Sequence, residues 1–369
     1  MKSWPNNSKP WVVVVCLIIY LGLIQLSLPI LAPAQVIYNQ RLNYNLVKDR
    51  TTNMEAVLEQ VKLIIDRENL QEYAVILGDS VAYSNPGPAA HSIASVLNHI
   101  YQREERGFPV FNLAMPAMQM GDVYTMLLAM EQYGISSDRL LFNVNYSGFI
   151  RRDQEHPAVY WLSWLLKRLD PETYQSIESI LPPFARVEKT RITQFSTIKN
   201  LINTFIYSEI NLFKYKDAYQ YYLKSRITEI RGIQQEPPQP VQPWHTKDFL
   251  LSLMQQPEYL RDYDDTPFVM DESNPEIFFL NRIMELQQDK HTIVFFTAVN
   301  DQLLPEQVSQ PGYQENLARI HGFFAEKDLI YLDTLGRIDN NLYSDHIHLT
   351  SDGYYQLSML LLEEMSWWD

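Results

Sequence analysis

Gly78-Asp79-Ser80, directly behind the apolar run Tyr73–Leu77, and Asp345-His346-Ile347-His348, near the C-terminus, are the stretches whose residue types can do covalent chemistry together. A serine hydroxyl is a weak nucleophile until a base takes its proton, and an imidazole base works best when a third group fixes its tautomer. The first stretch sets the Ser80 hydroxyl at the end of a buried strand. The second offers a carboxylate and an imidazole three positions apart, close enough to share one turn. The expected arrangement has His348 taking the Ser80 proton while Asp345 accepts from the other ring nitrogen. Glycine before the pair allows a tight turn, and the backbone N–H of Ser80 can face a reacting carbonyl. Other readings stay open at this point. Gly-Asp-Ser is also an ordinary polar turn, and Asp-His-x-His is also a metal-ligand pattern, although no other His/Asp/Glu pair is spaced to complete it. His346 reads as a solvated or packing histidine. Neither a cofactor nor a metal is expected.

The elements that must position these residues alternate. Met54, Val57, Leu58, Val61, Ile64 and Ile65 recur at helical spacing behind a Thr52–Glu55 capping pattern. The strand Tyr73–Leu77 follows, then a turn at Asn85-Pro86-Gly87 and a helix over 88–101. Val110–Leu113 and Leu140–Val144 read as strands, with a helix through Tyr133 between them that Asp122 is placed to cap. After an interruption come a helix opened by Asn274-Pro275, the strand Thr292–Thr297, a helix over Gln314–Ala325 and the strand Leu329–Leu332. Asp352 begins a final amphipathic helix through Met365. Strand–helix alternation predicts an α/β fold, a three-layer α/β/α sandwich with a mainly parallel sheet. From Ile150 to about Met270 the rhythm breaks, giving a mostly helical insertion rich in aromatics (Tyr160, Trp161, Trp164, Tyr215, Tyr219, Tyr221, Tyr222). Within it, Gln234–Pro243 is proline-rich and reads as an extended connector. The expected division is 1–35 as anchor, 36–149 and 271–369 as the two parts of the α/β domain, and 150–270 as insertion or cap.

With 369 residues, 46% of them apolar, the chain has ample material for a core. A net charge of -14 argues against a nucleic-acid partner, which would require a basic stripe. Trp11 to Ala32 carries no charge and is interrupted only by Gln25, Ser27 and Pro29. At about 1.5 Å per residue it crosses a hydrocarbon core of roughly 30 Å. Lys2 and Lys9 precede it and no acid does, so the N-terminus is expected in the cytoplasm and the bulk of the chain outside. Ala32-Pro33-Ala34 also fits a signal-peptide cleavage site, but the apolar run is longer than a signal core, which favours a retained anchor. The single cysteine, Cys16, lies inside this run, so the remainder has no disulfide and no thiolate.

Gly-Asp-Ser after the first strand and Asp-x-x-His before the last helix, with intermediate blocks between them, resemble the SGNH (GDSL-like) hydrolases and acyltransferases. The resemblance covers roughly residues 72–150 and 275–366. It implies oxyanion donors in two further blocks: the backbone N–H of a small residue, here Ala117 with Gly121 as reserve, and an asparagine just past its strand, here Asn145. Asn143 lies within that strand and reads as packing. With an N-terminal anchor, the chain is most similar to the extracytoplasmic branch of the family. That branch implies O-acyl (acetyl) transfer on a cell-envelope polysaccharide or D-alanylation of teichoic acid, beside a multi-pass membrane O-acyltransferase partner. The substrate would be an acylated glycan or other acyl ester. An exported lipid or small-ester hydrolase and a non-catalytic assembly protein are the alternatives.

Overall fold

The computed structural model describes residues 10–104, 106–150, 157–181, 210–232 and 239–368. The chain is an α/β protein built on five parallel strands: β1 (Ala74–Leu77), β2 (Val110–Asn112), β3 (Arg139–Asn145), β4 (His291–Thr297) and β5 (Ile330–Asp333). Their spatial order is β2-β1-β3-β4-β5, and the two-residue segment Arg41–Leu42 prolongs the sheet beyond β2, with Arg41 opposite Asn112. Every residue of β1 is buried, and β4 is buried from Thr292 onward. Such continuous apolar runs are what a parallel sheet covered on both faces demands. The longest register runs from Arg139 opposite His291 to Asn145 opposite Thr297.

Right-handed crossovers fix the layers. The helix Ile93–Glu104 packs against the last helix, Ser351–Met365, on one face. The helices Met120–Gln132 and Pro275–Leu286 pack together on the other. The result is the three-layer sandwich expected from the alternation. Because the chain leaves β1 toward β2 and later returns to β3 on the other side, the topological switch falls between β1 and β3. Ligands of open α/β sheets bind at the carboxyl ends of the strands at such a switch.

Local chemistry moves several element ends. The helix expected over 88–101 begins at Ile93, because Ser92 is extended (ψ 158°) and caps it, its Oγ accepting from Ser95 N–H. Asp122 does not cap its helix from outside. Gln119 is the N-cap, and Asp122 sits one turn in, accepting from the Gln119 N–H at 3.0 Å in a reciprocal capping box. The same buried carboxylate also accepts from the N–H groups of Tyr160, Trp161 and Leu162 at 2.8–2.9 Å. Burial raises its pKa to about 6 despite these donors. Asp122→Ala leaves four backbone donors without this acceptor, and is expected to cost about 3 kcal/mol. A fall in melting temperature below roughly 3 °C would contradict this account. Asp122→Asn, which keeps an acceptor oxygen, should lose less.

Contacts divide the chain into two compact units. One comprises Met1–Tyr38, Asn45–Glu68 and Lys189–Gln235; the other comprises Asn39–Tyr44, Asn69–Glu188 and Glu236–Asp369. The range 150–270 is thus shared between them, and its described residues contain one helix of 15 residues, Lys216–Ile230, several shorter ones and no strand. Of the proline-rich stretch, 234–238 lie outside the described residues, and 239–243 carry no regular structure. The first unit holds the helix Pro10–Leu31, whose Trp11–Leu31 portion (mean hydropathy 2.5) is long and apolar enough to cross a membrane. Cys16 is exposed on it. In the same unit Gln60 donates to Pro29 O (2.7 Å) and to the buried Tyr215 hydroxyl (3.2 Å), and Asn211 donates to Gln25 O. These bonds tie Met54–Glu68 and the segment around 211–215 to the apolar helix.

Candidate active site

Everything singled out for chemistry lies in the second unit, at the carboxyl ends of the strands. Gly78 leaves β1 with φ 124°, and a Cβ there would lie 2.0 Å from Asn143 Oδ1. Only glycine therefore permits this approach. The Asp79 N–H donates to that same oxygen at 2.9 Å, which fixes the turn that presents Ser80. Arg41 braces the exit of the turn, donating to the carbonyls of Tyr83, Ser84 and Gly87 at 2.7–3.0 Å.

The second stretch folds back on itself. Tyr343 and Leu349 form an antiparallel bridge, and Ser344 N–H donates to His348 O at 2.8 Å. Within this loop Asp345 Oδ1 accepts from the N–H groups of Ile347 and His348 (2.9 and 2.8 Å), leaving Oδ2 for the His348 ring. A strap from residues 244–247 holds the loop from outside. Trp244 donates through its backbone to Tyr343 O and through its ring to Asn340 O, both at 2.9 Å, and Lys247 Nζ donates to Ser344 O at 2.6 Å.

The two stretches meet. His348 Nε2 lies 2.8 Å from Ser80 Oγ, and His348 Nδ1 lies 2.8 Å from Asp345 Oδ2. Burial opposes ionisation of Asp345, but the hydrogen bond and charge of His348 outweigh it and hold the carboxyl well below the usual carboxylate range. For His348, burial disfavours the charged ring, yet the bond to Asp345 and the negative charges of Asp345 and Asp79 raise its pKa. A hydroxyl, an imidazole and a carboxylate in this order can pass one proton and stabilise the imidazolium that results. His346 makes no hydrogen bond to these residues, its Nδ1 standing 3.7 Å from Asp345 Oδ1. Its ring packs edge-on against Tyr259 and Tyr263, and burial lowers its pKa. Among the described residues no His/Cys/Asp/Glu group is arranged to hold a metal ion.

Ala117 and Asn145 line one cavity of about 160 Å³ together with Asp79, Gly148 and Glu276. Ala117 adopts φ 63°, the left-handed region, a conformation that glycine takes without cost and alanine does not. Asn145, the last residue of β3, donates to Asp79 Oδ2 at 2.7 Å, which engages one of its two amide hydrogens. Gly121 serves a different purpose: its N–H donates to Ala158 O, and a Cβ there would strike that carbonyl at 2.4 Å. Asn143 does more than pack. Besides receiving the Asp79 N–H, it donates to Asp79 Oδ1 (2.8 Å) and Thr297 Oγ1 (2.9 Å).

Asp79 is the residue the sequence reading passed over. Its carboxylate accepts from Val81 N–H, Asn143 and Asn145, so it joins the nucleophile turn to the end of β3. The signal was present in the i, i+2 spacing of the two asparagines, which a strand projects to one face. Four of the aromatics of the interruption have other partners. Tyr215, Tyr219 and Tyr221 belong to the other unit and bond to Glu59, Leu28 O and Asp49, while the Trp161 ring donates to Pro116 O.

Glu276 also went unnoticed. It stands in the first turn of Pro275–Leu286, where an acid ordinarily complements the helix dipole in solvent. Here it is only 9% exposed. Burial, reinforced by the charge of Asp79, pushes its carboxyl up from 4.5 to about 8. The folded state then binds the proton more tightly than the unfolded one. The corresponding stability is fully present below pH 4.5 and is lost as pH rises toward about 8. Stability is expected to fall across this window by on the order of a few kcal/mol. Glu276→Gln should flatten that decline in denaturation curves recorded at stepped pH; an identical slope in the variant would refute the assignment.

No protein-family profile matches this chain, and no curated protein matches it.

Proposed function

We propose that this protein is a membrane-anchored serine acyltransferase or esterase of SGNH type that transfers or removes O-acyl groups on a cell-envelope polysaccharide. The observation that carries the reading is the Ser80–His348–Asp345 chain, two contacts of 2.8 Å, of which the one between His348 and Ser80 joins residues far apart in sequence. Ser80 Oγ attacks the acyl carbonyl as its proton passes to His348 Nε2, and Asp345 stabilises the imidazolium. The tetrahedral oxyanion collapses, and the leaving alkoxide takes the proton from His348, which leaves an acyl ester on Ser80. An acceptor hydroxyl, or water, then gives its proton to His348 and attacks that ester, and Ser80 recovers a proton as it departs.

Among the described residues the N–H groups of Ser80 and Ala117 bond to nothing, which suits them as oxyanion donors. The second amide hydrogen of Asn145 completes the set. Each such donor is worth about 3–4 kcal/mol of transition-state stabilisation where removal has been measured. The small cavity with a carboxyl in its wall favours a short acyl group over a lipid chain. In this proposal the apolar helix anchors the chain with its N-terminus in the cytoplasm, and the catalytic unit works outside, supplied with acyl groups by a multi-pass membrane O-acyltransferase.

The test is labelling of the full chain in detergent with a fluorophosphonate, followed by mapping of the modified residue. Label is expected on Ser80 and absent from Ser80→Ala, with strong loss in His348→Ala. A folded wild-type protein that takes up no label would overturn the proposal.

A further inference from the structure

The cavity beside the nucleophile turn has one wall that the acyl-transfer steps do not use. Glu276 is more than nine-tenths buried, and no described side chain or backbone group donates to its carboxyl. A Cβ on Gly148 would lie 2.7 Å from Oε1, so the carboxyl has room there only because residue 148 is glycine. The other charged group on the cavity wall, Asp79, is already satisfied by three donors. The carboxyl has no partner within the protein and lines the cavity, so a ligand there that hydrogen-bonds it with good geometry takes the place of water.

We propose that this cavity is a subsite for a neutral hydroxyl-bearing group and that Glu276 is the residue that reads it. A protonated carboxyl presents one donor and one acceptor side by side. A hydroxyl, which needs one of each, satisfies both at once. The elevated pKa of Glu276 is consistent with this, since the acid keeps its proton at neutral pH. An alkyl group would leave both carboxyl oxygens unpaired, and a site built this way discriminates against it. The hydroxyl belongs either to the acyl group or to the sugar ring beside the reacting oxygen. The inference rests on the serine-acyl reading for its substrate class, but its test does not require turnover.

Binding of methyl α-D-glucopyranoside and of glycerol to the full chain carrying Ser80→Ala is followed by saturation-transfer NMR, with propylammonium as a cationic control. Saturable binding of the hydroxyl probes is expected. Adding Glu276→Met or Glu276→Ala should weaken it by about tenfold, whereas Glu276→Gln, which keeps a donor and an acceptor, should stay within about threefold. Equal binding with and without the Glu276 side chain, no saturable binding, or tighter binding of propylammonium would each overturn the proposal. With Ser80 intact, a preference for 4-nitrophenyl hydroxyacetate over the acetate that vanishes in Glu276→Met places the hydroxyl on the acyl group. Loss of transfer to the glucoside alone places it on the acceptor. Absence of fluorophosphonate label on Ser80, with Glu276-dependent sugar binding retained, would remove the catalytic reading and leave the subsite standing.

Discussion

Replacing Asp345 by asparagine is expected to lower turnover of an activated ester such as 4-nitrophenyl acetate by about 10³–10⁴-fold. The carboxylate accepts from His348 Nδ1 and from two backbone N–H groups of its own loop. Asparagine can keep the backbone bonds through its oxygen, so the loop holds its shape. Its amide then points N–H at Nδ1, which forces the ring proton onto Nε2 and leaves nothing to accept from Ser80. The loss should fall on kcat, with little change in melting temperature. A second signature follows from His348, whose pKa lies above 6.5 in the intact site. The base must be neutral to act, so wild-type activity should rise with pH through a limb above that value. In Asp345→Asn the limb should move to lower pH, because the charge that raises it is gone. A loss smaller than tenfold, or an unmoved limb, would contradict the assigned role.

Gly78→Ala should be the most disruptive single methyl group in the molecule. At φ 124° any L side chain is strained, and the added Cβ would meet Asn143 Oδ1 at 2.0 Å. Asn143 cannot yield freely, because it holds Asp79 and Thr297 in the sheet. Strain and displacement together are expected to cost about 3–5 kcal/mol, lowering the melting temperature by roughly 10 °C. Turnover should fall by at least about 10²-fold, because a shift of about 1 Å in Ser80 breaks a geometry that depends on hydrogen-bond reach. A variant with wild-type stability would show that the turn relaxes in a way the structure does not suggest.

Much of this arrangement was legible in the sequence, for identifiable reasons. The five strands are short apolar runs bounded by turn residues, and all five appear within a residue or so of where pattern places them. Ser80, Asp345 and His348 could be paired because nucleophile, base and orienting group are chemically distinct types, Ser80 just past the end of β1 and the other two in the loop before the last helix. What sequence could not supply was the wiring between neighbours. Asp79 looks like a spacer between glycine and serine until the fold brings Asn143 and Asn145 against it. Glu276 looks like a routine first-turn acid, because sequence carries no measure of burial. The helix Met54–Glu68 reads as the first helix of the α/β domain, yet its contacts group it with the apolar helix, through bonds such as Gln60 to Pro29 O. No local periodicity encodes that choice.

The strap over the acid–base loop bears on how this chain tolerates changes in length. Trp244 and Lys247 grip only carbonyl oxygens, at residues 340, 343 and 344. Those partners survive any change of side chain in the gripped loop, but they demand a fixed spacing of three between the gripping residues. Losing one residue between 244 and 247 would therefore unhook the grip. Homologues of this protein should accordingly keep the strap itself at constant length.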